Sequence, residues 1–274
     1  MSAIPVFAPT GGSCLNCSVN LTVSDRHLRL FVDLDGRPDR DLALEEEFLD
    51  GASAGFVSLF LYSWVSPVVV LGYGQKIEDI QMDWCREAGV PVYRRMTGGT
   101  GVVHRRDLAV SLFLPAEHRW AQRITGLYEL FLGALAPALE AAGGQGRHMG
   151  DPRKPSRDRS PICFEDQLSD TLVVGGRKVV GCAQARRSRS VLIHAAVSLN
   201  LPGDIYAGAF GVSQERIEEG LGEAVPGGRA QEVAPHITTA LAKALDMTVS
   251  DEPLPETSGL ERRNRIEDLS QARE

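Results

Sequence analysis

The 274-residue sequence predicts an α/β fold: an α+β arrangement with a mixed sheet and flanking helices. Three observations predict it. Residues 57–62, 66–72 and 108–114 are short apolar runs rich in Val, Leu and Phe, with the length and content of strands. Stretches of helical period lie between and after them, at 41–52, 77–88 and 118–142. Glycine-rich turns separate strand-like segments, one at Gly98-Gly99-Thr100-Gly101 and one at Gly175-Gly176.

In chain order, residues 1–24 read as an irregular segment containing Cys14-Leu15-Asn16-Cys17. With no second Cys-x-x-Cys and no Cys-His partner at zinc spacing, that pair reads as loop rather than metal site. Asp41 is expected to cap a helix reaching Ala52, with Leu42, Glu45, Glu46, Phe48 and Leu49 in an amphipathic pattern. The strand at 66–72 is apolar enough to be buried on both faces. Residues 77–88 predict a helix with Gly89 as its C-terminal glycine. A long helix is expected over 118–142, kinked or broken at Pro137. Residues 147–160 read as an exposed loop and the most basic stretch, with Arg147, Arg153, Lys154, Arg157 and Arg159. Segments 172–174 and 178–180 predict a hairpin, and a further strand is expected from Val191 to Asn200. Residues 213–221 and 229–246 look helical, and 251–274 read as a charged tail behind a single 25–250 catalytic-type domain.

Composition narrows the classes. Hydrophobic residues at 43% and charged residues at 24% are ordinary for a globular protein, and a net charge of −7 argues against general nucleic-acid binding. The first residues lack a basic segment followed by an apolar one, and no run approaches about 18 apolar residues, so neither secretion nor membrane insertion is expected. Five irregularly spaced cysteines fit a reducing cytoplasm better than a disulfide framework.

Two stretches carry chemistry. The first is Arg94-Arg95-Met96-Thr97-Gly98-Gly99-Thr100-Gly101-Val102-Val103-His104. Glycines let backbone N–H groups approach a carbonyl or phosphate oxygen closely, and the arginines suggest an anionic or strongly polar group nearby. The second is Gly176-Arg177-Lys178-Val179-Val180-Gly181-Cys182-Ala183-Gln184, a lysine among apolar neighbours followed by small residues. Together, in this order, they resemble the lipoate/biotin protein ligase and octanoyltransferase superfamily. Ala43-Leu44-Glu45-Glu46, and the succession Trp64, Pro67, Gly72 and Gln75, extend the resemblance, which covers roughly residues 40–205. It implies a biotin/lipoate protein ligase-like fold related to class II synthetase catalytic domains.

The resemblance is nearest to the ligase-like octanoyltransferases, which carry a Cys-Phe before Gly-Arg-Lys. Here Cys163-Phe164 stands in that register. It implies that Cys163 carries the acyl group and that Lys178 lowers its pKa and steadies the reacting carbonyl. It also implies substrate contacts from Arg94, Arg95, Thr97, Gly98, Gly99, Thr100, Gly101, His104, Gly181, Ala183 and His194. A second octanoyltransferase branch has its cysteine three residues before the histidine; that place is Val191 here. The usual His-Gly-Ser is replaced by His194-Ala195-Ala196, and Cys182 occupies a position usually held by a small residue such as serine.

The implied function is transfer of octanoyl from acyl carrier protein to a lysine of a lipoyl domain, such as a glycine cleavage H protein or a dehydrogenase E2 subunit. That route needs no metal or nucleotide, and no nucleic acid or membrane partner. Three alternatives stay open. A lipoate-protein ligase would need ATP and Mg, an amidotransferase would move the acyl group between carrier domains, and a non-catalytic protein would only bind the acyl group or its carrier.

Overall fold

A computed structural model describes residues 26–145, 147–148, 171–256 and 264–266. Strand β1 (His27–Asp33) leads into helix α1 (Pro38–Ser53) and strands β2 (Val57–Tyr62) and β3 (Val68–Leu71). A single 3-10 turn (Ile77–Asp79) precedes the short helix α2 (Met82–Glu87). Strands β4 (Val92–Arg94), β5 (Val102–His104) and β6 (Leu108–Pro115) follow, then helix α3 (Ile124–Ala141) and strand β7 (Arg147–His148). The chain continues through β8 (Leu172–Val174), β9 (Arg177–Arg186) and β10 (Ser190–Val197), then α4 (Gly203–Phe210), α5 (Gln214–Gly220), α6 (Ala230–Leu245) and β11 (Thr248–Asp251).

The strands form two mixed sheets. The larger has the order β11-β1-β2-β6-β10-β9-β8-β7, with β11, β1 and β2 parallel and the remaining neighbours antiparallel. The smaller has the order β4-β3-β5. Three apolar layers follow from strand alternation. On β2, Val57, Leu59 and Leu61 join Leu127, Phe131, Ile237 and Leu241 beneath α3 and α6. Phe60 and Tyr62 on the opposite face meet Phe48 and Leu49 of α1, with Val68 and Val70 of the smaller sheet. Val69, Leu71 and Val102, on the far face of that sheet, pack against Tyr206 and Phe210 of α4 and Ile217 of α5. The strand at 66–72 is thus covered on both faces, as its composition predicts.

Several boundaries differ from the sequence reading. Helix α1 starts at Pro38, a residue suited to the first helical position, and Arg37 stands at the cap. Asp41 lies inside the first turn and its side chain is fully buried. The stretch at 77–88 is not one helix, because Ile80 is extended and splits it. The long helix begins at Ile124 rather than at His118 and continues through Pro137 to Ala141. By length and composition alone it is long and apolar enough to cross a membrane. Burial of Leu127, Phe131, Leu135 and Leu139 in the core accounts for that character. Strands β1 and β11 and helix α4 were not anticipated. Cys14, Cys17, Cys163 and the basic residues Arg153, Lys154, Arg157 and Arg159 lie outside the described residues.

Candidate active site

A narrow cavity lies where the two sheets and α1 meet. Trp64, Arg95, His104, Gly181, Ala183 and His194 are among the residues on its wall. Small residues on two adjacent strands make the room: Gly181 pairs with Ala196, and Ala183 with His194, across β9 and β10.

The glycine loop is built from the arginines outward. Arg95 is buried; its Nε donates to Thr97 Oγ1 at 3.0 Å, and its terminal nitrogens donate to the carbonyls of Val70, Gly98 and Thr100 at 2.8–3.2 Å. Arg94 donates to the carbonyls of Gly72, Tyr73 and Gln75 at 2.7–3.1 Å. Both guanidiniums hold the protein's own backbone, which fixes the loop against the end of β3. Gly99 adopts a φ of +90°, and Gly72 touches it so closely that a Cβ there would sit 1.9 Å from the Gly99 carbonyl oxygen. Phe210 of α4 covers Gly101 from outside, 2.5 Å from where a Cβ would be.

An irregularity in β9 sets the face on which Lys178 stands. Leu172 pairs with Val180 but Val173 pairs with Lys178, so Val179 is an extra residue on β9. The bulge sends two consecutive side chains, Val179 and Val180, into the same core layer under α3 and α6. Alternation then resumes with Gly181 and Ala183 on the cavity side. Lys178, preceding Val179, consequently falls on the face of Gly181 rather than in the core. It is 4% exposed, and its carbonyl accepts from Gly222 N at 3.0 Å.

Beneath the cavity lies a buried polar network. Glu45 of α1 accepts from Tyr62 Oη at 3.2 Å, from Ser111 Oγ, and from His194 Nδ1 at 3.4 Å, all through Oε1. His194 Nε2 meets Thr97 Oγ1 at 2.7 Å. Burial pushes the Glu45 carboxyl up, but the charge of His194 and the hydrogen bonds from His194, Ser111 and Tyr62 outweigh it and hold the group below its usual range. Burial and the nearby carboxylates push Tyr62 well above its ordinary value, so it remains a donor. A second network runs beside it. Trp64 Nε1 donates to Asp41 Oδ2 at 2.8 Å, and the Trp64 ring meets His104 edge-on at 5.1 Å. His104 Nδ1 pairs with Asp107 at 2.7 Å.

The structure thus brings Arg95, Thr97, His104, Gly181, Ala183 and His194 together, with the Gly98–Thr100 loop held above and Lys178 on the same face of β9. Arg94 is turned toward the β3 end. Cys182 is half-buried on the cavity wall and packs against the core layer under α3. Cys85 is buried in apolar surroundings that push its thiol up. Sequence reasoning missed Tyr62 and Ser111, which look like ordinary strand positions, and Phe210. For Glu45 one signal existed: a carboxylate on the apolar side of an amphipathic helix.

Comparison with known proteins gives the family and the fold. Octanoyltransferase LipM of Anoxybacillus flavithermus is 32% identical over 196 residues, spanning 67% of this chain and 69% of that protein. LipM of Macrococcus caseolyticus is 29% identical over 191 residues, spanning 66% and 69%. The structure of protein Ta0514 of T. acidophilum with bound lipoic acid superposes with a TM-score of 0.67 at 20% identity, over 90% of this chain and 94% of that one, which shows the shared fold. The model of the lipoyl protein ligase A/B catalytic domain matches residues 37–242, three-quarters of the sequence and all of the cavity wall, and the chain belongs to that family.

Proposed function

We propose that this protein is an octanoyltransferase of lipoate assembly, moving an octanoyl group from acyl carrier protein to a lysine of a lipoyl domain through an acyl-enzyme on Cys163. Family membership supports the coarse statement, an enzyme of acyl transfer or ligation that works on carrier or lipoyl domains. The observation that carries the finer reading is the pairing of Cys163-Phe164 with Lys178 in a chain about 30% identical to proteins named octanoyltransferases.

In this reading the Cys163 thiolate attacks the thioester carbonyl. The tetrahedral intermediate collapses, and the carrier's thiolate leaves and takes a proton. The new thioester on Cys163 is then attacked by the acceptor's neutral lysine amine. The Cys163 thiolate departs, the amine loses a proton and an amide remains. Exchange of one thioester for another changes bond energy little, and two accessible steps replace one. The ammonium of Lys178 favours the thiolate and the developing oxyanion, and each interaction gains strength where water is excluded. The wall of Gly181, Ala183, Ala195 and Ala196 is small and apolar. The site works without ATP or Mg, in the cytoplasm. The ATP-dependent ligase is the second reading; in it Lys178 would contact the carboxylate or phosphate of an acyl-adenylate.

Intact-mass analysis tests the proposal. Incubation with octanoyl-acyl carrier protein, without ATP, is expected to add one octanoyl group, and Cys163→Ala is expected to abolish the gain. No gain without ATP, with an adenylate appearing once ATP and lipoate are supplied, would replace the transferase by the ligase.

A further inference from the structure

We infer that Glu45 is a positioning residue for the acyl-transfer site: through His194 and Thr97 it fixes the glycine loop over the cavity. The inference rests on the acyl-transfer reading for its kinetic consequence, but the geometry behind it stands separately.

The proton positions follow from donor and acceptor identity. Arg95 carries only donors, so its 3.0 Å contact makes Thr97 Oγ1 an acceptor on one side. Thr97 has one hydroxyl proton left, and the neighbour at 2.7 Å is His194 Nε2. The other ring nitrogen, Nδ1, faces the Glu45 carboxylate, where a lone pair would be repelled and an N–H attracted. Glu45 therefore keeps a proton on Nδ1, while Nε2 pairs with the Thr97 hydroxyl. The carboxylate itself is held in place by Tyr62 and Ser111, which donate to the same Oε1 from β2 and β6.

This makes one connected line from the interior to the loop. It begins on α1, crosses to β10, and ends at the Thr97 hydroxyl that also receives Arg95, whose other nitrogens hold the Gly98 and Thr100 carbonyls. Glu45 is 1% exposed, and its second oxygen, Oε2, is buried with no hydrogen-bond partner among the described residues. A carboxylate needed only for stability would be expected to satisfy both oxygens. Here all three donors converge on the oxygen that faces His194.

Two measurements on the full chain decide the matter. In ¹⁵N-histidine-labelled protein, with His194 identified by its loss in His194→Gln, Nδ1 is expected to be protonated, and Glu45→Gln is expected to shift that proton toward Nε2. An unprotonated Nδ1 in the unaltered protein would overturn the inference whatever the reaction proves to be. The second measurement is the rate of acyl-enzyme formation from octanoyl-acyl carrier protein in Glu45→Gln, Thr97→Val and the double variant. Each single change is expected to slow the rate on the order of tenfold, and the double variant no more than the worse single one, because both cut the same line. Thr97→Val keeps the cycle informative should Glu45→Gln fold poorly, since it alone must then show the loss. Multiplicative losses, or unchanged rates, would refute the positioning role. No acyl-enzyme in the unaltered protein would refute the transferase reading and leave the histidine spectrum to judge Glu45.

Discussion

Asp41 is a carboxyl that the fold makes harder to ionise. Burial raises it to about 6, against the opposing pull of the Trp64 hydrogen bond and of Arg40. A carboxyl raised in the folded state adds stability fully below its unfolded pKa of 3.8, and that contribution is lost as pH rises through about 6. The window corresponds to roughly 3 kcal/mol by linkage. Urea unfolding of Asp41→Asn between pH 4 and 7 should therefore show a flatter pH dependence than the unaltered protein. A parallel dependence in both would remove Asp41 as the titrating group. Gly72 makes a second residue-scale prediction. Its missing Cβ is the space occupied by the Gly99 carbonyl, so Gly72→Ala should cost on the order of 1–3 kcal/mol and displace the glycine loop. Melting temperature and acyl-enzyme rate should fall together. A Cβ at Gly98, where nothing lies within 4 Å, should leave stability unchanged, which separates backbone crowding from a general intolerance of the loop.

Among elements, β9 shows what pattern reading can and cannot deliver. The hairpin around Gly175-Gly176 was legible because both glycines take positive φ, 57° and 80°, as a tight two-residue turn of this hand requires. The bulge at Val179 was not legible, because two successive valines read equally well in a regular strand. Only pairing with Leu172 and Val173 reveals the extra residue. Deleting Val179 should restore simple alternation, and because Val180 then follows Lys178 directly into the core layer, Lys178 keeps the face of Gly181. The expected result is a protein that folds and still forms the acyl-enzyme. A deletion variant that has lost the acyl-enzyme would show that the bulge itself is needed, beyond the face on which Lys178 stands. Helix α1 gives the complementary lesson. Its apolar stripe was visible, but the roles of Asp41 and Glu45 were not, since helix periodicity places a carboxylate on a face without naming the donors that β2, β6 and β10 bring to it.

At the scale of the whole molecule, the cavity wall was legible from motifs, whereas the shell that encloses it was not. The recognisable motifs stop near residue 205, although the family match runs to 242; α4 covers the glycine loop through Phe210, and α6 supplies Val233, Ile237 and Leu241 to the principal core. Those residues follow ordinary helical spacing, and nothing local says which surface they meet. Leu241→Ala should lose about 2–5 kcal/mol, read as a lower urea midpoint, because the side chain is fully buried between α3 and the large sheet. Finally, β1 borders β2 on one side and β11 on the other, and the β11 contact joins positions 221 residues apart at His27 and Thr248. A chain emerging from the ribosome makes His27, in β1, 221 residues before its partner Thr248. Until Thr248–Asp251 appear, one row of β1 amides and carbonyls has no strand to meet, and an unpaired edge of that kind invites association with other chains. Synthesis thus includes an interval of aggregation risk, and chaperone demand should fall once β11 docks.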